Sequence, residues 1–154
     1  MKQKITEQTA SVLQNILDDT HSLLLFDGSC ATCDFIVNLI LKNDPSRHFL
    51  FTPLQSSWGS LVLRSMGLNT NDLTTLILIH KQDVYTHSSA VFKVLKLLAP
   101  PFNLLLFFSI LPRSLTDLLY SIYAKNRYRL FGKLKTCRLL SPEEKKQFLK
   151  ENSR

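Results

Sequence analysis

The amino-acid sequence predicts an α/β domain in which helices flank a mixed four-stranded sheet. Short uncharged apolar runs at residues 23–26, 49–52 and 76–79 are bounded by polar residues, as in strands that are buried on both faces. Segments with helical periodicity separate these runs, which is the order of elements in strand–helix–strand units. A polar turn at 80–83 leads to a weaker strand at 84–86, and so short a connection requires an antiparallel hairpin.

Two helices are predicted between the first three strands. Residues 35–41 (FIVNLIL) are apolar nearly all round, so this helix is expected to be deeply buried. Together with the strands on either side, it is expected to form a right-handed parallel crossover. Ser57 is expected to cap the next helix, and Gly67 is a suitable residue to end it.

Further helices are predicted at both ends of the chain. A helix begins at Ser88 or Ser89, and an extra C-terminal helix begins at Ser114. In the C-terminal helix, Asp117 occupies the position of a capping-box acid. The residues expected on the packed side of this helix are Leu115, Leu118, Leu119, Ile122 and Tyr123. Residues 6–17 fit a short amphipathic helix, so we interpret residues 1–20 as a helical extension and 21–154 as one domain.

One apolar segment raises the question of a membrane. Residues 97–111 (LLAPPFNLLLFFSIL) carry no charge, but they number only 15 and include Pro100 and Pro101. A membrane-spanning helix needs roughly 20 apolar residues. The segment is therefore predicted to form a buried core helix, and peripheral contact with a membrane is the less favoured alternative.

The charge distribution allows two interpretations. The net charge is +7, and six basic residues lie within residues 125–138 (KNRYRLFGKLKTCR), where there is no acidic residue. This segment could be a docking surface for nucleic acid, anionic lipid or an acidic partner. We favour a solvated face, beneath which Tyr128, Leu130, Phe131 and Leu134 pack. The sequence contains no zinc finger, P-loop or glycine-rich nucleotide loop, so nucleic acid is not the expected partner.

The N-terminus and the cysteine content bear on the compartment. Residues 1–15 have no apolar core of the kind that an export signal requires, so a cytoplasmic location is expected. Thiols stay mostly reduced in the cytoplasm, and structural disulfides are rare there. The three cysteines of the chain therefore point away from a disulfide framework.

Two of these cysteines lie close together in LLLFDGSCATCDF (residues 23–35), where the first strand leads into the first helix. Cys30 and Cys33 are three residues apart, so their sulfurs are within bonding reach on one helical turn. The helix N-terminus favours a thiolate at Cys30, which is expected to be exposed and to attack a substrate disulfide. Cys33 is expected to be less exposed and less acidic, and to resolve the mixed disulfide.

Other interpretations of this pair were weighed. A C-x-x-C pair can be half of a zinc site, but the remaining candidates show no paired ligand spacing; they are Cys137, His21, His48, His80 and His87. The two cysteines could also be inert core thiols. We favour a redox pair that needs no other cofactor and whose partner is a protein or small-molecule disulfide or dithiol.

The motifs resemble a known family. DGSCATC resembles the Asp-Cys-Cys signature of the DCC family of thiol-disulfide oxidoreductases, whose fold is thioredoxin-like. PLQSSWG (53–59) is similar to the P-L-Q-S-x-x-G segment of that family, and THSSAVFKVLKLL to its S-x-A helix. LPRSLTDLLYSIYAKNRYRLFGKLKTC resembles its C-terminal pattern, so the likeness covers residues 23–142.

The resemblance implies that Asp27, Cys30 and Cys33 are the site residues. Asp27 could accept a proton from a thiol or hold the loop through N–H groups, and we favour the loop-holding role. The sequence matches the family at Asn126-Arg127-Tyr128, which could reach the site or simply fix the C-terminal segment. Cys137 could be a third redox partner, but a packed thiol is favoured.

Two features differ from thioredoxin itself. Thioredoxins have a cis-proline before the third strand, whereas residues 73–75 here are Leu-Thr-Thr. An Ala-Thr pair separates the cysteines where thioredoxin has Gly-Pro. Neither the mode of substrate binding nor the reduction potential of thioredoxin is therefore carried over.

Overall fold

Five strands form one sheet in the computed structural model, which describes residues 2–4, 20–67, 76–81, 83–98, 100, 102–133 and 144–149. The strands are β1 (Lys2–Lys4), β2 (Ser22–Phe26), β3 (Phe49–Pro53), β4 (Ile77–His80) and β5 (Asp83–Thr86). Their spatial order is β1-β5-β4-β2-β3, so β5, β4 and β2 are interior strands of the sheet. The four predicted strands are thus all present, and β1 extends the sheet at one edge.

The pairing of the strands agrees with the predicted connections. β2 is parallel to β3, as the strand–helix–strand order requires, and Ser22 lies opposite Phe49. β2 and β4 are antiparallel, and β4 and β5 form the predicted antiparallel hairpin. β1 is antiparallel to β5, which the sequence did not predict. The helix predicted for residues 6–17 lies outside the described residues.

Four α-helices accompany the sheet in the described part of the chain. They are α1 (Ala31–Lys42), α2 (Ser57–Ser65), α3 (His87–Leu97) and α4 (Arg113–Phe131), and short 3₁₀ helices span Phe102–Ile110 and Glu144–Lys146. Ser56, rather than Ser57, caps α2, because its Oγ accepts the Gly59 N–H at 3.0 Å. Gly67 follows α2 with a φ of +67°, a conformation that glycine adopts without strain.

Helices cover both faces of the sheet, as predicted. Along β2, Leu24 and Phe26 pack into the cluster that contains residues of α1 and α3, whereas Leu23 and Leu25 pack into the cluster that contains residues of α2. Each of these side chains is nearly or completely buried, so β2 is the centre of the core. The arrangement is a mixed α/β fold of the thioredoxin-like type.

The first helix is less buried than its composition suggests. Only Val37 and Ile40 are buried in α1, and Phe35 is 65% exposed. A straight helix that packs on one layer of sheet buries only the stripe of residues that faces it. The expectation that this helix would be deeply buried was therefore wrong.

The apolar segment at 97–111 does not form a core helix. Residues 102–110 form a 3₁₀ helix in which Leu104, Phe107 and Ile110 are 82%, 71% and 73% exposed. Because a 3₁₀ helix has three residues per turn, these three side chains fall on one edge, and that edge faces solvent. No helix among the described residues is long and apolar enough to cross a membrane.

α4 packs on the domain with a different face from the predicted one. α4 begins at Arg113 after Pro112, with no side-chain cap, and Asp117 instead accepts a hydrogen bond from Ser88 Oγ at 2.5 Å. The predicted packed residues Leu115, Leu118, Leu119 and Ile122 are 42–56% exposed. The buried residues are Thr116, Ala124 and Arg127, two of which are polar. Apolar periodicity alone selected the wrong stripe, because the polar residues have partners inside the domain.

Candidate active site

The cysteine pair lies where β2 leads into α1. Asp27 directly follows β2, Gly28 and Ser29 form the turn, and Cys30 is the N-cap residue of α1. The Cys30 sulfur accepts the backbone N–H of Cys33, with an N–S distance of 3.3 Å. Both cysteines are free thiols in this structure. The predicted placement of the pair at a helix N-terminus is therefore confirmed.

The exposure of the two cysteines is the reverse of what was expected. Cys30 is completely buried, and Cys33 is half-buried. Lys133, just beyond the end of α4, pairs with Cys30 in an isolated antiparallel bridge. The chain after α4 therefore lies against Cys30, and this long-range contact explains why a residue at the start of a helix is not exposed.

The Cys33 thiol is less acidic than an ordinary cysteine. Burial is the largest influence and raises the pKa of the Cys33 thiol, and the neighbouring Cys30 sulfur raises it further. The positive charge of Arg127 lowers this pKa but does not offset the other effects. Cys33 is therefore a thiol, not a thiolate, at neutral pH.

Asp27 accepts hydrogen bonds on both carboxylate oxygens. Its Oδ1 accepts the N–H of Ser29 at 2.9 Å, the hydroxyl of Ser29 at 2.7 Å and the side-chain amide of Gln55 at 2.7 Å. Its Oδ2 accepts from the Arg127 guanidinium at 2.5 Å and from the Tyr128 hydroxyl. Burial alone would raise the pKa of Asp27, but the hydrogen bonds from Tyr128, Ser29 and Gln55 hold it below its ordinary value. The carboxylate is therefore ionised, and each of its oxygens accepts at least two hydrogen bonds.

Arg127 and Tyr128 lie near the C-terminal end of α4, and their side chains reach this site. The side chains of Arg127 and Asp27 are only 2% and 1% exposed, so they form a buried ion pair. The guanidinium also lies 4.8 Å from the ring centroid of Tyr128. Burial by itself would lower the pKa of Arg127, but its hydrogen bond with Tyr128 and the nearby Asp27 raise it. Arg127 is therefore a permanent buried cation.

These contacts show which residues of the Asn126-Arg127-Tyr128 motif reach the site. Arg127 and Tyr128 reach the site, whereas Asn126 is exposed and donates to the Ile122 carbonyl of its own helix at 2.9 Å. The basic segment is thus not simply a solvated face, because Arg127 is buried. Leu130 and Phe131 are 66% and 55% exposed and do not pack beneath it. Cys137 and Leu134 lie outside the described residues.

Gln55 is a site residue that the sequence motifs did not single out. Its Oε1 accepts the Gly28 N–H at 3.0 Å while its Nε2 donates to Asp27, so it connects the turn to the end of β3. A Cβ at Gly59 would lie 2.2 Å from the Pro53 carbonyl oxygen, so glycine is required where α2 starts against β3. The PLQSSWG segment was the sequence signal for these contacts. Its glutamine makes the hydrogen bonds to the turn, and its glycine avoids a clash with the Pro53 carbonyl.

His48 and His80, two of the candidate metal ligands, lie at the end of β2 opposite the cysteine pair. Ser22 begins β2, and its hydroxyl contacts His48 Nε2 at 2.9 Å and His80 Nδ1 at 2.7 Å. His87 instead contacts the ring of Tyr120. Among the described residues, no three His, Cys, Asp or Glu side chains are grouped so that they could hold a metal ion.

Comparison with known proteins agrees with the geometry of the site. A family model described as DCC1-like thiol-disulfide oxidoreductase matches residues 24–133. The uncharacterized protein YuxK of Bacillus subtilis (strain 168) is 42% identical over 129 residues, which cover 84% of this chain and 94% of that protein. A DCC family protein of Arabidopsis thaliana, named as chloroplastic, is 34% identical over 123 residues, which cover 79% of this chain and 72% of that protein.

No solved structure gives a significant match. The matched region begins within β2, ends at Lys133 and so contains the cysteine pair, Asp27, Gln55, Arg127 and Tyr128. The chain therefore belongs to the DCC1-like thiol-disulfide oxidoreductase family.

Proposed function

We propose that the protein is an enzyme that exchanges disulfides through Cys30 and Cys33. The observation that carries this proposal is the N-cap geometry, in which the Cys30 sulfur accepts the Cys33 N–H at 3.3 Å. That contact holds the two residues on one turn at the start of α1. A thiolate at such a position is stabilised by the unpaired N–H groups and the positive end of the helix dipole.

The reaction is a transfer of two electrons between the pair and a substrate. In the reducing direction, the S–S bond of the substrate breaks, the Cys30–Cys33 bond forms, and the substrate leaves as two thiols that receive the protons of the cysteines. In the oxidising direction, a substrate dithiol becomes a disulfide and the two cysteines become thiols. The partner is therefore a disulfide or a dithiol, and the pair itself is the redox centre.

Asp27 acts in this proposal as a positioning residue. Its pKa is held low, so it is a weak base, and both its oxygens already accept hydrogen bonds from Ser29, Gln55, Arg127 and Tyr128. These contacts support the role of holding the loop that precedes Cys30 over the role of proton acceptor. The buried positive charge of Arg127 offsets the negative charge that Asp27 brings to the vicinity of the cysteines.

A cytoplasmic location remains part of the proposal. The chain has only three cysteines, too few to indicate a disulfide framework, which fits a reducing compartment. The relative from Arabidopsis thaliana is named as chloroplastic, which is said of that protein only. Fractionation of cells that express the full chain at its native level tests the location.

The exchange activity is tested with a small polar disulfide. Reduced protein is mixed with hydroxyethyl disulfide, and the release of substrate thiol is followed together with peptide mapping of the protein. Wild-type protein should release two thiols per molecule as it acquires a Cys30–Cys33 disulfide, while Cys30→Ser and Cys33→Ser should release at most one. Cys137→Ser is the matched control and should retain the activity.

The alternatives are a non-catalytic interaction module that uses the basic C-terminal face and a metal-binding protein that uses the cysteines, and one measurement tests each of them. An interaction module that has lost catalysis would leave hydroxyethyl disulfide untouched in every variant. A metal-binding protein would instead retain a stoichiometric metal after reduction, and metal analysis of the full chain would detect it. Either result would overturn the proposed exchange activity.

A further inference from the structure

A cavity of about 430 Å³ opens beside the cysteine pair, between α1, α3 and α4. Its wall is mainly apolar and includes the side chains of Ile36, Val91, Phe92, Leu119, Tyr120 and Tyr123. Its volume lies within the range of about 300–1,000 Å³ that is usual for small-molecule sites. The proposed exchange chemistry does not by itself account for an apolar space of this size.

The cavity distinguishes the two sulfurs. Cys33 belongs to its wall and is half-buried, whereas Cys30 is completely buried and is not part of the wall. A molecule in the cavity therefore meets Cys33, with Cys30 behind it. This arrangement replaces the expectation that an exposed Cys30 meets the substrate first.

The charged residues of the wall do not favour an ionic ligand. Asp27 and Arg127 both border the cavity, but they neutralise each other in their ion pair. A charged ligand would lose its hydration against the surrounding leucine, valine and aromatic side chains without gaining an opposite charge. An uncharged apolar group, and an aromatic ring in particular, suits the phenylalanine and tyrosine rings of the wall.

We propose that this cavity binds the apolar group of a small uncharged thiol or disulfide and presents the sulfur of that molecule to Cys33. The proposal rests on the exchange activity proposed above and names the substrate class for that same site. The backbone N–H of Leu76, another wall residue, is already bound by the Tyr120 hydroxyl at 2.9 Å. It is therefore not offered to the backbone of a peptide substrate, which favours a small molecule.

The chemistry follows from the positions of the sulfurs when the pair is oxidised. A substrate thiol bound in the cavity loses its proton to solvent and attacks Cys33 Sγ, a bond forms between these two sulfurs, and the Cys30–Cys33 bond breaks. Cys30 leaves as a thiolate beside the backbone N–H of Cys33, which its sulfur accepts at 3.3 Å, and it then takes up a proton. Ionisation of Cys33 is not required, because in this step Cys33 is the sulfur that is attacked.

A second substrate thiolate then attacks the substrate sulfur of the mixed disulfide. The substrate disulfide forms, Cys33 is released and takes up a proton, and the protein is left reduced. In total, two substrate thiols lose two electrons and the protein disulfide gains them. The disulfide of the protein is the only oxidant that this half-reaction consumes.

The binding part of the proposal is tested without redox chemistry. Thioanisole, an aromatic thioether with no exchangeable sulfur, is titrated into the reduced full chain, and binding is followed by calorimetry or by NMR shifts. Leu119→Gln places a polar group in the wall and should weaken binding by roughly tenfold. Leu118→Gln is the matched control, because Leu118 is the adjacent residue of α4, is 56% exposed and does not border the cavity. Equal binding by the two variants would overturn the assignment of the cavity.

The substrate class is tested with oxidised protein and a pair of thiols. Benzyl mercaptan should be oxidised faster than mercaptoethanol, and Leu119→Gln should remove most of this preference while Leu118→Gln retains it. Equal rates for the two thiols in wild-type protein would refute the substrate class and leave the exchange activity standing. A cysteine peptide that is oxidised faster than benzyl mercaptan, and slowed equally by Leu119→Gln, would refute the small-molecule assignment.

Trapping tests which of the two cysteines forms the mixed disulfide with the substrate. At alkaline pH, Cys30→Ser should form a mixed disulfide with dibenzyl disulfide at Cys33, whereas Cys33→Ser should remain unmodified while folded. A mixed disulfide mapped to Cys30 would overturn the assigned order. If no thiol is oxidised by any form of the protein while thioanisole binding still responds to Leu119→Gln, the exchange activity fails and the binding site stands.

Discussion

Arg127 and Asp27 form a buried ion pair that connects the last α-helix to the loop in front of the cysteine pair. The Arg127 Nη2 and the Asp27 Oδ2 are 2.5 Å apart, and both side chains are almost completely removed from solvent. The two residues are 100 positions apart in the sequence. The pair therefore fixes the C-terminal part of the fold to the site, and removal of either charge leaves the other buried without its partner.

Replacement of Asp27 by Asn should lower the free energy of unfolding by about 3–5 kcal/mol, because the buried Arg127 charge loses its ion pair with Asp27. This is a larger effect than a loop-holding hydrogen bond alone would give. Urea unfolding of Asp27→Asn, Arg127→Leu and the double variant measures the coupling. The double variant should be more stable than the sum of the two single losses predicts, and simple additivity would contradict the ion pair.

Replacement of Tyr128 by Phe should cost about 1–3 kcal/mol of stability, because the hydroxyl donates to the buried Asp27 carboxylate. Tyr85→Phe is a suitable control, since the Tyr85 hydroxyl donates to Asp83 at 3.3 Å in the half-buried hairpin. The control should lose less stability than Tyr128→Phe in the same urea titration. Equal losses would contradict a stabilising hydrogen bond from the Tyr128 hydroxyl to Asp27.

Asp27 should also make stability depend on pH in the acid range. Its folded-state pKa lies below the ordinary carboxyl value, so its contribution is fully present above an unfolded pKa of about 3.9 and is lost as the pH falls through the lower folded value. Unfolding free energies measured from neutral to strongly acid pH should therefore fall below about pH 4. The Asp27→Asn variant should show a shallower decline, and an unchanged slope would contradict the assigned pKa shift.

Cys33 should react slowly with iodoacetamide in the folded, reduced protein. Burial and the neighbouring Cys30 sulfur raise the pKa of Cys33, so its alkylation should increase with pH to well above the ordinary thiol value of about 8.5. Peptide mapping after short exposures at a series of pH values gives the profile. Unfolded protein is the control and should show the ordinary profile for both cysteines; the same midpoint at Cys33 in folded protein would contradict the shift.

The parts of the fold that depend on local pattern were predictable from the sequence. The continuous apolar run that became β2 and the short turn between β4 and β5 both reflect neighbouring residues, and both were assigned correctly. The C-x-x-C pair was placed at the start of a helix because the strand, the turn and the helix follow one another directly. The family motifs then supported the redox interpretation of that position.

The contacts that complete the site depend on residues far apart in the chain. The bridge between Cys30 and Lys133 buries Cys30, and no local pattern indicates that α4 ends beside α1. The partnership of Asp27 with Arg127 has the same origin, since an arginine in a basic segment is ordinarily assigned to the surface. The leucines of α4 are exposed although their spacing predicts a packed face. Periodicity identifies an apolar stripe on a helix, but it does not show whether another element covers that stripe.

The most direct test of exchange through Cys30 and Cys33 is a redox titration of the reduced protein in dithiothreitol buffers of increasing oxidation, with the thiol state read by mass spectrometry and peptide mapping. We expect one reversible two-electron transition that links Cys30 to Cys33 and leaves Cys137 as a free thiol. Cys137→Ser should show the same transition. The absence of a reversible Cys30–Cys33 disulfide, or a disulfide between Cys137 and either cysteine of the pair, would contradict this expectation.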